Sequence, residues 1–146
     1  AFSAVAIAYA YNTSLVKPDN APRSALDFLK PEFAGKLISV YPHDDDAALY
    51  LFHLIVQKYG WGWMDHYMAG KPHFVQGHLP VARAVAEGKM AATLDATITT
   101  AGGLKRQGAP IEIAFSEQDE TPVFSVTGGI FKDAPHPNAA KLFLSW

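Results

Sequence analysis

Strand-length apolar runs alternate with helical patterns along most of this chain. Runs rich in small, β-branched and aromatic residues occupy 2–11, 37–41, 90–94 and 111–115, as is typical of β-strands. Residues 49–59 place apolar side chains three and four apart, which indicates a helix with one buried face. Because strands and helices alternate, we predict an α/β fold with a mostly parallel sheet and helices on both of its faces.

Capping and helix-breaking residues mark the ends of the predicted helices. Ser24 and Asp27 form an acidic version of the capping box, and Pro31 ends the short helix that they open. Gly60 is placed to end the helix over 49–59. We predict that this helix buries Leu49, Phe52, Ile55, Val56 and Tyr59, and that the core also contains Trp61, Trp63 and Tyr67. Further helices are predicted over 61–68, 80–88, 97–107 and 138–146, and a long strand over 123–131.

The chain has the length and composition of one globular domain. Its 146 residues are 49% hydrophobic and 18% charged, with a formal net charge of -2, so we predict a single lobe over 1–146. The basic residues are scattered, which argues against a nucleic-acid partner. The apolar runs are shorter than the roughly 20 residues that span a bilayer, so direct membrane insertion is not expected. Because the chain starts in a strand and stops in a helix, we expect a piece of a longer protein.

Three consecutive acids follow the strand predicted over 37–41. In one interpretation Asp46 is the N-cap of the next helix, and Asp44 and Asp45 are solvated acids favoured by the helix dipole. In the other interpretation, His43, Asp44 and Asp45 contact a ligand or a metal. Ionised carboxylates only accept hydrogen bonds, so in that case they favour a cationic, metal-bound or hydroxyl-rich ligand. Both interpretations stay open from the residues alone.

Five segments, in their order along the chain, resemble the second lobe of iron(III)-type and related extracellular solute-binding proteins of ABC importers. The most specific segment reads Ala-Pro-His-Pro-Asn-Ala-Ala-Lys-Leu-Phe over 134–143. The others occupy 8–13, 21–37, 71–76 and 81–88, so the resemblance covers nearly the whole chain. It implies a type II periplasmic-binding-protein lobe, in which 4–11 and 125–130 are the strands that cross to the other lobe.

The resemblance also implies a function. Two such lobes close over a small-molecule or metal-complex solute and present it to the membrane permease of an ABC transporter. We therefore expect a periplasmic or extracellular binding protein that has no catalytic activity and no cofactor.

A second loop, over 76–79, lies where the resemblance places polar contacts to the ligand. It implies ligand-binding roles for Gln76, Gly77 and His78. Ligands of open α/β sheets gather at the carboxyl ends of the strands, which is where this loop and the acidic loop are predicted to lie.

A third loop, over 95–97, offers Asp95 and Thr97 as further candidate ligand contacts. Iron-binding members of the family supply tyrosines at this position, so we do not expect tyrosine-based iron binding and leave the metal unknown. Tyr11 lies with Tyr9 on the predicted crossing strand, where each is either a packing residue or a ligand contact.

Two other functions stay open at this point. A metal-dependent hydrolase would use His43, Asp44 and Asp45, with His78. The chain has no His-Glu-x-x-His helix, Gly-x-Ser-x-Gly elbow or Gly-rich phosphate loop to support that function. An effector-sensing domain of a regulator could share the same fold. A signal sequence upstream would favour transport, whereas a DNA-binding helix-turn-helix would favour regulation.

Overall fold

The computed structural model describes residues 3–145, which form six strands and five α-helices. The strands are β1 (Ser3–Asn12), β2 (Ile38–Val40), β3 (His73–Val75), β4 (Ala92–Thr97), β5 (Ile111–Ala114) and β6 (Val123–Val126). The helices are α1 (Asp46–Tyr59), α2 (Trp61–Ala69), α3 (His78–Ala86), α4 (Ile98–Arg106) and α5 (Pro137–Ser145). Short 3₁₀-helices occupy Pro18–Asn20, Ala25–Leu29 and Pro31–Phe33. Phe2 and Trp146, which end two predicted elements, lie outside the described residues.

Strand β1 is the centre of the main sheet. It pairs with β4 on one side, where Ile7 lies opposite Thr97. On the other side it pairs with β5, where Asn12 lies opposite Ile111. Its first residues, 3–6, pair with β6. The second half of β1 is completely buried because it has neighbours on both edges and helices on both faces.

Among the strands described, β1 runs in one direction and the others run in the opposite direction. β4, β5 and β6 all run antiparallel to β1 and are therefore parallel to one another. β2 and β3 pair in parallel, and a parallel bridge joins Leu37, just before β2, to Ala92 of β4. The prediction of a mostly parallel sheet holds for strand direction. Three of the four strand pairings described are nevertheless antiparallel, because β1 is inserted between strands that run the other way.

Helices cover both faces of the sheet, as predicted. Ile7 and Tyr9 of β1 belong to a core that includes side chains of α1 and α2. Ala10 belongs to a second core, with Val81 of α3 and Ala101 of α4. Because successive side chains of a strand point to opposite faces, one strand contributes to both cores.

The buried face of α1 differs in part from the predicted one. The helix buries Ala48, Leu51, Phe52 and Ile55, at the i, i+3, i+4 and i+7 positions of one face. Leu49 is 55% exposed, so its predicted burial is wrong. The face is anchored by the small side chain of Ala48, which a pattern of large apolar residues does not reveal.

Trp61 is a second correction to the predicted core. Phe52, Trp63 and Tyr67 are buried as predicted, whereas Trp61 is 72% exposed. Trp61 is the first residue of α2, and the helix turns Trp63 and Tyr67 inward, four residues apart on one face.

Two further elements differ in extent or type from the prediction. The strand predicted over 123–131 ends at Val126, so only part of the predicted crossing segment 125–130 is strand. The crossing role of 4–11 and 125–130, like the assignment of 1–146 to one lobe, stays a prediction. The capped helix before Pro31 is a 3₁₀-helix, in which the Asp27 carboxylate accepts the main-chain N–H of Ser24 at 2.9 Å. Among residues 3–145, no helix is both long and apolar enough to cross a membrane.

The carboxylate of Asp119 ties the loop between β5 and β6 to three other parts of the chain. It accepts hydrogen bonds from the Tyr9 hydroxyl at 3.0 Å, the Ala25 amide at 2.6 Å and the Tyr59 hydroxyl at 2.6 Å. Lys58 pairs with it at 2.8 Å, and the side chain of Asp119 is only 7% exposed. Burial raises the pKa of Asp119, but the hydrogen bonds from Lys58, Tyr59, Ala25 and Ser116 together outweigh burial and lower this pKa to about 2. Asp119 is therefore an ionised, well-bonded structural anchor.

We expect Asp119→Ala to lower the free energy of unfolding by about 3 kcal/mol, because it leaves the hydroxyls of Tyr9 and Tyr59 and the amide of Ala25 without their acceptor and removes the ion pair with Lys58. Urea denaturation at pH 7 measures this change. Glu120→Ala removes the neighbouring exposed acid and should change stability by less than about 0.5 kcal/mol.

The pH dependence of the same variant has a definite sign. Because the folded-state pKa of Asp119 is lowered to about 2, its stabilisation is present above about pH 4, the unfolded-state value, and is lost as the pH falls toward 2. The difference between the natural protein and Asp119→Ala should therefore narrow below pH 4. An equal loss in the Glu120→Ala variant would contradict the anchoring role.

Candidate functional site

Three strands end at one edge of the structure. β2, β3 and β4 run in the same direction; a loop joins β2 to α1 and another joins β3 to α3, whereas β4 continues into α4 without a loop. Strand β1 begins at this same edge, because its early residue Ile7 lies opposite Thr97 at the end of β4. The edge where the three strands end is therefore on the side where β1 and β6 pair.

His78 connects these two loops. Its Nδ1 lies 2.8 Å from the main-chain oxygen of Asp95, and its Nε2 lies 3.2 Å from Oδ2 of Asp45. Both partners are hydrogen-bond acceptors when Asp45 is ionised, so only the doubly protonated imidazolium donates to both at once. His78 thus joins the start of α3 to the start of α1 and the end of β4.

Asp45, and not Asp46, is the N-cap of α1. Its Oδ1 accepts the main-chain N–H of Ala48 at 2.8 Å, while its backbone is extended, as a cap requires. Asp46 is the first helical residue. The predicted cap was one residue too late, because three consecutive acids offer equivalent side chains and only the backbone geometry selects between them.

Asp95 lies within β4, so its predicted position in a loop is wrong. Its side chain is completely buried. Its Oδ2 accepts the main-chain N–H of Val40 at 2.7 Å, and its Oδ1 accepts the hydroxyl of Thr93 at 2.7 Å. Burial raises the pKa of Asp95 to about 6, although these hydrogen bonds and the charge of His78 act in the opposite direction. The carboxylate fastens β4 to β2 directly beneath the loops.

Two other candidate residues shape this edge. Gly77 starts α3 with a φ of 83°, a conformation that favours glycine. Thr97 is the N-cap of α4, and its hydroxyl accepts the main-chain N–H of Thr100 at 3.3 Å. Tyr11 does not lie at this edge: it pairs with Ala92 at the start of β4, toward the opposite end of the sheet, where it is 7% exposed and packs in the core. Whether any of them touches a ligand stays a prediction.

Exposed polar side chains at this edge come from the two loops. His43 is 74% exposed and Asp44 is 41% exposed, with 3.9 Å between His43 Nε2 and an oxygen of Asp44. Gln76 is exposed on the neighbouring loop. These side chains offer both donors and acceptors to a molecule that lies over the edge.

Tyr41 is a residue of this edge that the sequence reasoning missed. Its ring stacks on Phe74 with 5.8 Å between centroids, and lies 5.2 Å from the ring of His43. The side chain is still 39% exposed, so it offers an aromatic surface beside the polar groups. An aromatic residue directly after a strand and before a polar loop is the signal that could have revealed it.

The chemistry of this edge is that of hydrogen bonding. Within residues 3–145, no group of three or more His, Asp and Glu side chains is placed to hold a metal ion. The groups with the closest contacts, His78, Asp45 and Asp95, are already bonded to one another or to the backbone.

We expect Asp95→Asn to change how stability depends on pH. The folded-state pKa of Asp95 is raised to about 6, so the native state binds a proton that the unfolded state releases near pH 4. The stability that this proton contributes is complete below about pH 4 and is lost as the pH rises through 6. Asn has the same shape, can still bond to Val40 and Thr93, and does not titrate.

Denaturation of both proteins between pH 4 and pH 8 measures this effect. Relative to Asp95→Asn, the natural protein should lose about 2 kcal/mol of stability across that range. Parallel stability curves for the two proteins would contradict a raised pKa at Asp95.

Solved structures match this chain, although its sequence does not lead to a family. No protein-family model matches the sequence, and no curated protein matches it either. A substrate-binding protein of an ABC transporter from Agrobacterium tumefaciens has a TM-score of 0.84 and 15% identity, over 98% of this chain and 44% of that one. The periplasmic binding protein AfuA from Actinobacillus pleuropneumoniae, solved with fructose-6-phosphate bound, has a TM-score of 0.74 and 21% identity, over 99% and 47%.

A third structure is iron-bound HitA from Pseudomonas aeruginosa, with a TM-score of 0.69 and 18% identity, over 99% of this chain and 48% of that one. The chain thus spans about half the length of the proteins that it matches. At these identities the likeness is one of fold. The chain has the mixed α/β fold found in periplasmic binding proteins of ABC transporters.

Proposed function

We propose that this chain is the ligand-binding lobe of a solute-binding protein that captures a small, hydroxyl-rich solute and delivers it to an ABC transporter permease. The observation that carries the proposal is the gathering at one edge of three strands that lead into helices, two of them through loops, on the side where β1 and β6 pair. In open α/β sheets, ligands bind beyond the carboxyl ends of the strands.

Binding suits this edge better than catalysis does. A general base needs a side chain that is free to take a proton from a substrate. His78 is engaged at both ring nitrogens, and Asp95 is buried and bonded. The exposed groups, by contrast, are those of a hydrogen-bonding surface. We therefore propose a binding protein and not a hydrolase.

The acidic groups at the edge disfavour an anionic solute, and among the others we propose a neutral, hydroxyl-rich one. Asp44 and Asp46 lie where an anion would otherwise use the N-terminus of α1, and Asp45 already caps that helix. Carboxylates accept hydrogen bonds from hydroxyl groups, and the amide of Gln76 both donates and accepts. Tyr41 adds an aromatic face against which an apolar face of the solute can lie.

We propose that 4–11 and 125–130 continue toward a second lobe, which closes over the candidate edge and completes the cleft. The pairing of the start of β1 with β6 on the side of that edge supports this two-lobed mechanism. A solute held in that cleft is protected from water until the permease opens the cleft. This proposal implies a periplasmic or extracellular location.

The experiment is a thermal-shift screen of the complete natural protein with neutral sugars and polyols, sugar phosphates, polyamines, divalent cations and ferric complexes. A ligand that binds only the native state raises the unfolding midpoint. We expect the largest shift with a neutral sugar or polyol. A shift with sugar phosphates alone, or with cations alone, would overturn the proposed solute class.

Matched variants locate the binding site. Gln76→Ala should weaken the binding of the identified solute about tenfold, which corresponds to the loss of one or two hydrogen bonds. Gln107→Ala removes an exposed amide just after α4, at the opposite end of that helix, and should leave the affinity unchanged. Equal effects of the two variants would move the site away from this edge. Cellular uptake of the same solute that persists without this protein would contradict its delivery role.

A further inference from the structure

A concave site lies at the end of the sheet opposite the candidate edge. It is an open pocket of about 490 Å³, within the range of small-molecule sites. Lys36 lies two residues before β2, and Lys89 comes shortly before β4. Leu15 and Val16 follow β1, which runs in the opposite direction. The pocket therefore lies at the amino ends of the parallel strands, away from the loops proposed to bind solute.

The floor of this pocket is apolar. Val16, Phe33 and Ala91 line it and are 6%, 1% and 3% exposed. Leu15 lines it as well and is 55% exposed, so it adds exposed apolar surface to the pocket.

The rim of the pocket carries an excess of positive charge. Three lysines line it, at positions 17, 36 and 89, against the single carboxylate of Glu32. Lys89 pairs with Glu87 at 2.7 Å. Among residues 3–145, neither Lys17 nor Lys36 lies within 4.0 Å of a carboxylate. Two ammonium groups are thus available to a bound anion.

The backbone around the pocket already has its hydrogen bonds. The N–H of Lys36 donates to Phe33 and its carbonyl oxygen accepts from Ala91, while the N–H of Lys89 donates to Ala84. Polar contacts to a ligand therefore come from side chains, and the lysines supply donors only. A ligand that suits both the rim and the floor has an anionic group attached to an apolar portion.

We propose that this pocket binds a small organic anion, whose carboxylate or phosphate group meets Lys17 and Lys36 and whose apolar portion covers Leu15, Val16 and Phe33. The site is separate from the solute-binding edge, and the proposal does not depend on the function assigned to that edge.

The test is a titration of the complete natural protein, followed by backbone amide signals in NMR spectra. Hexanoate is the probe, inorganic phosphate carries charge without an apolar portion, and hexan-1-ol carries the apolar portion without charge. We expect hexanoate to shift the amides of Lys36 and Gly88, and to bind more tightly than either control probe.

Charge-reversal variants test the role of the rim. Lys17→Glu combined with Lys36→Glu should weaken hexanoate binding about tenfold, as two partly exposed ion pairs allow. Lys132→Glu combined with Lys141→Glu makes the same change in net charge at exposed positions that do not line the pocket, and should leave binding unchanged. Leu15→Asn should weaken the binding of hexanoate but not the binding of phosphate.

Each contrary result has a clear meaning. If the two double variants weaken hexanoate binding equally, only net charge attracts the anion, and the proposed site in the pocket is refuted. Equal binding of hexan-1-ol and hexanoate would overturn the anionic class of ligand, and equal binding of phosphate would overturn the role of the apolar floor. Shifts confined to the amides of the solute-binding edge would place hexanoate there and refute this site.

Discussion

The pairing of β1 on both of its edges is the constraint on which the rest of the structure depends. Its ladders with β4 and β5 build the main sheet, and its first residues hold β6. Its alternating side chains contribute to both hydrophobic cores. Because it is antiparallel to its neighbours, its beginning lies at the carboxyl ends of the other strands. That single relation places the candidate site beside the β1–β6 pair, and places the lysine-rimmed pocket at the opposite end of the sheet.

The buried polar groups of the candidate site stabilise its structure, and the exposed polar groups are free to contact a ligand. A buried carboxylate is strongly unfavourable unless it is hydrogen-bonded, and Asp95 meets that requirement through Val40 and Thr93. His78 then joins Asp45 to the backbone of β4. These contacts hold the two loops and the end of β4 in one arrangement, so that His43, Asp44 and Gln76 stay exposed on a supported edge.

Local patterns were sufficient to predict most elements, but not the long-range polar contacts. The helix over 49–59 and the strands around 38 and 92 follow from side-chain spacing, which is a property of the chain itself. Asp119 gave no signal, since its partners Tyr9 and Tyr59 lie 110 and 60 residues away. The exposure of Trp61 could not be anticipated either, because an apolar residue at a helix start suits the core or the surface equally well.

The sequence by itself determined the alternation of strands and helices, the ends of most helices and the two loops that follow β2 and β3. Periodicity and capping are local, so they do not depend on which distant segments the chain packs against. Only the tertiary structure decided which side chains near these strand ends form structural hydrogen bonds and which remain exposed. Asp45 and Asp95 resemble Asp44 in sequence, yet one caps a helix, one is buried in a strand and one stays in solvent. The physical reason is that burial and hydrogen-bond partners are set by elements distant along the chain.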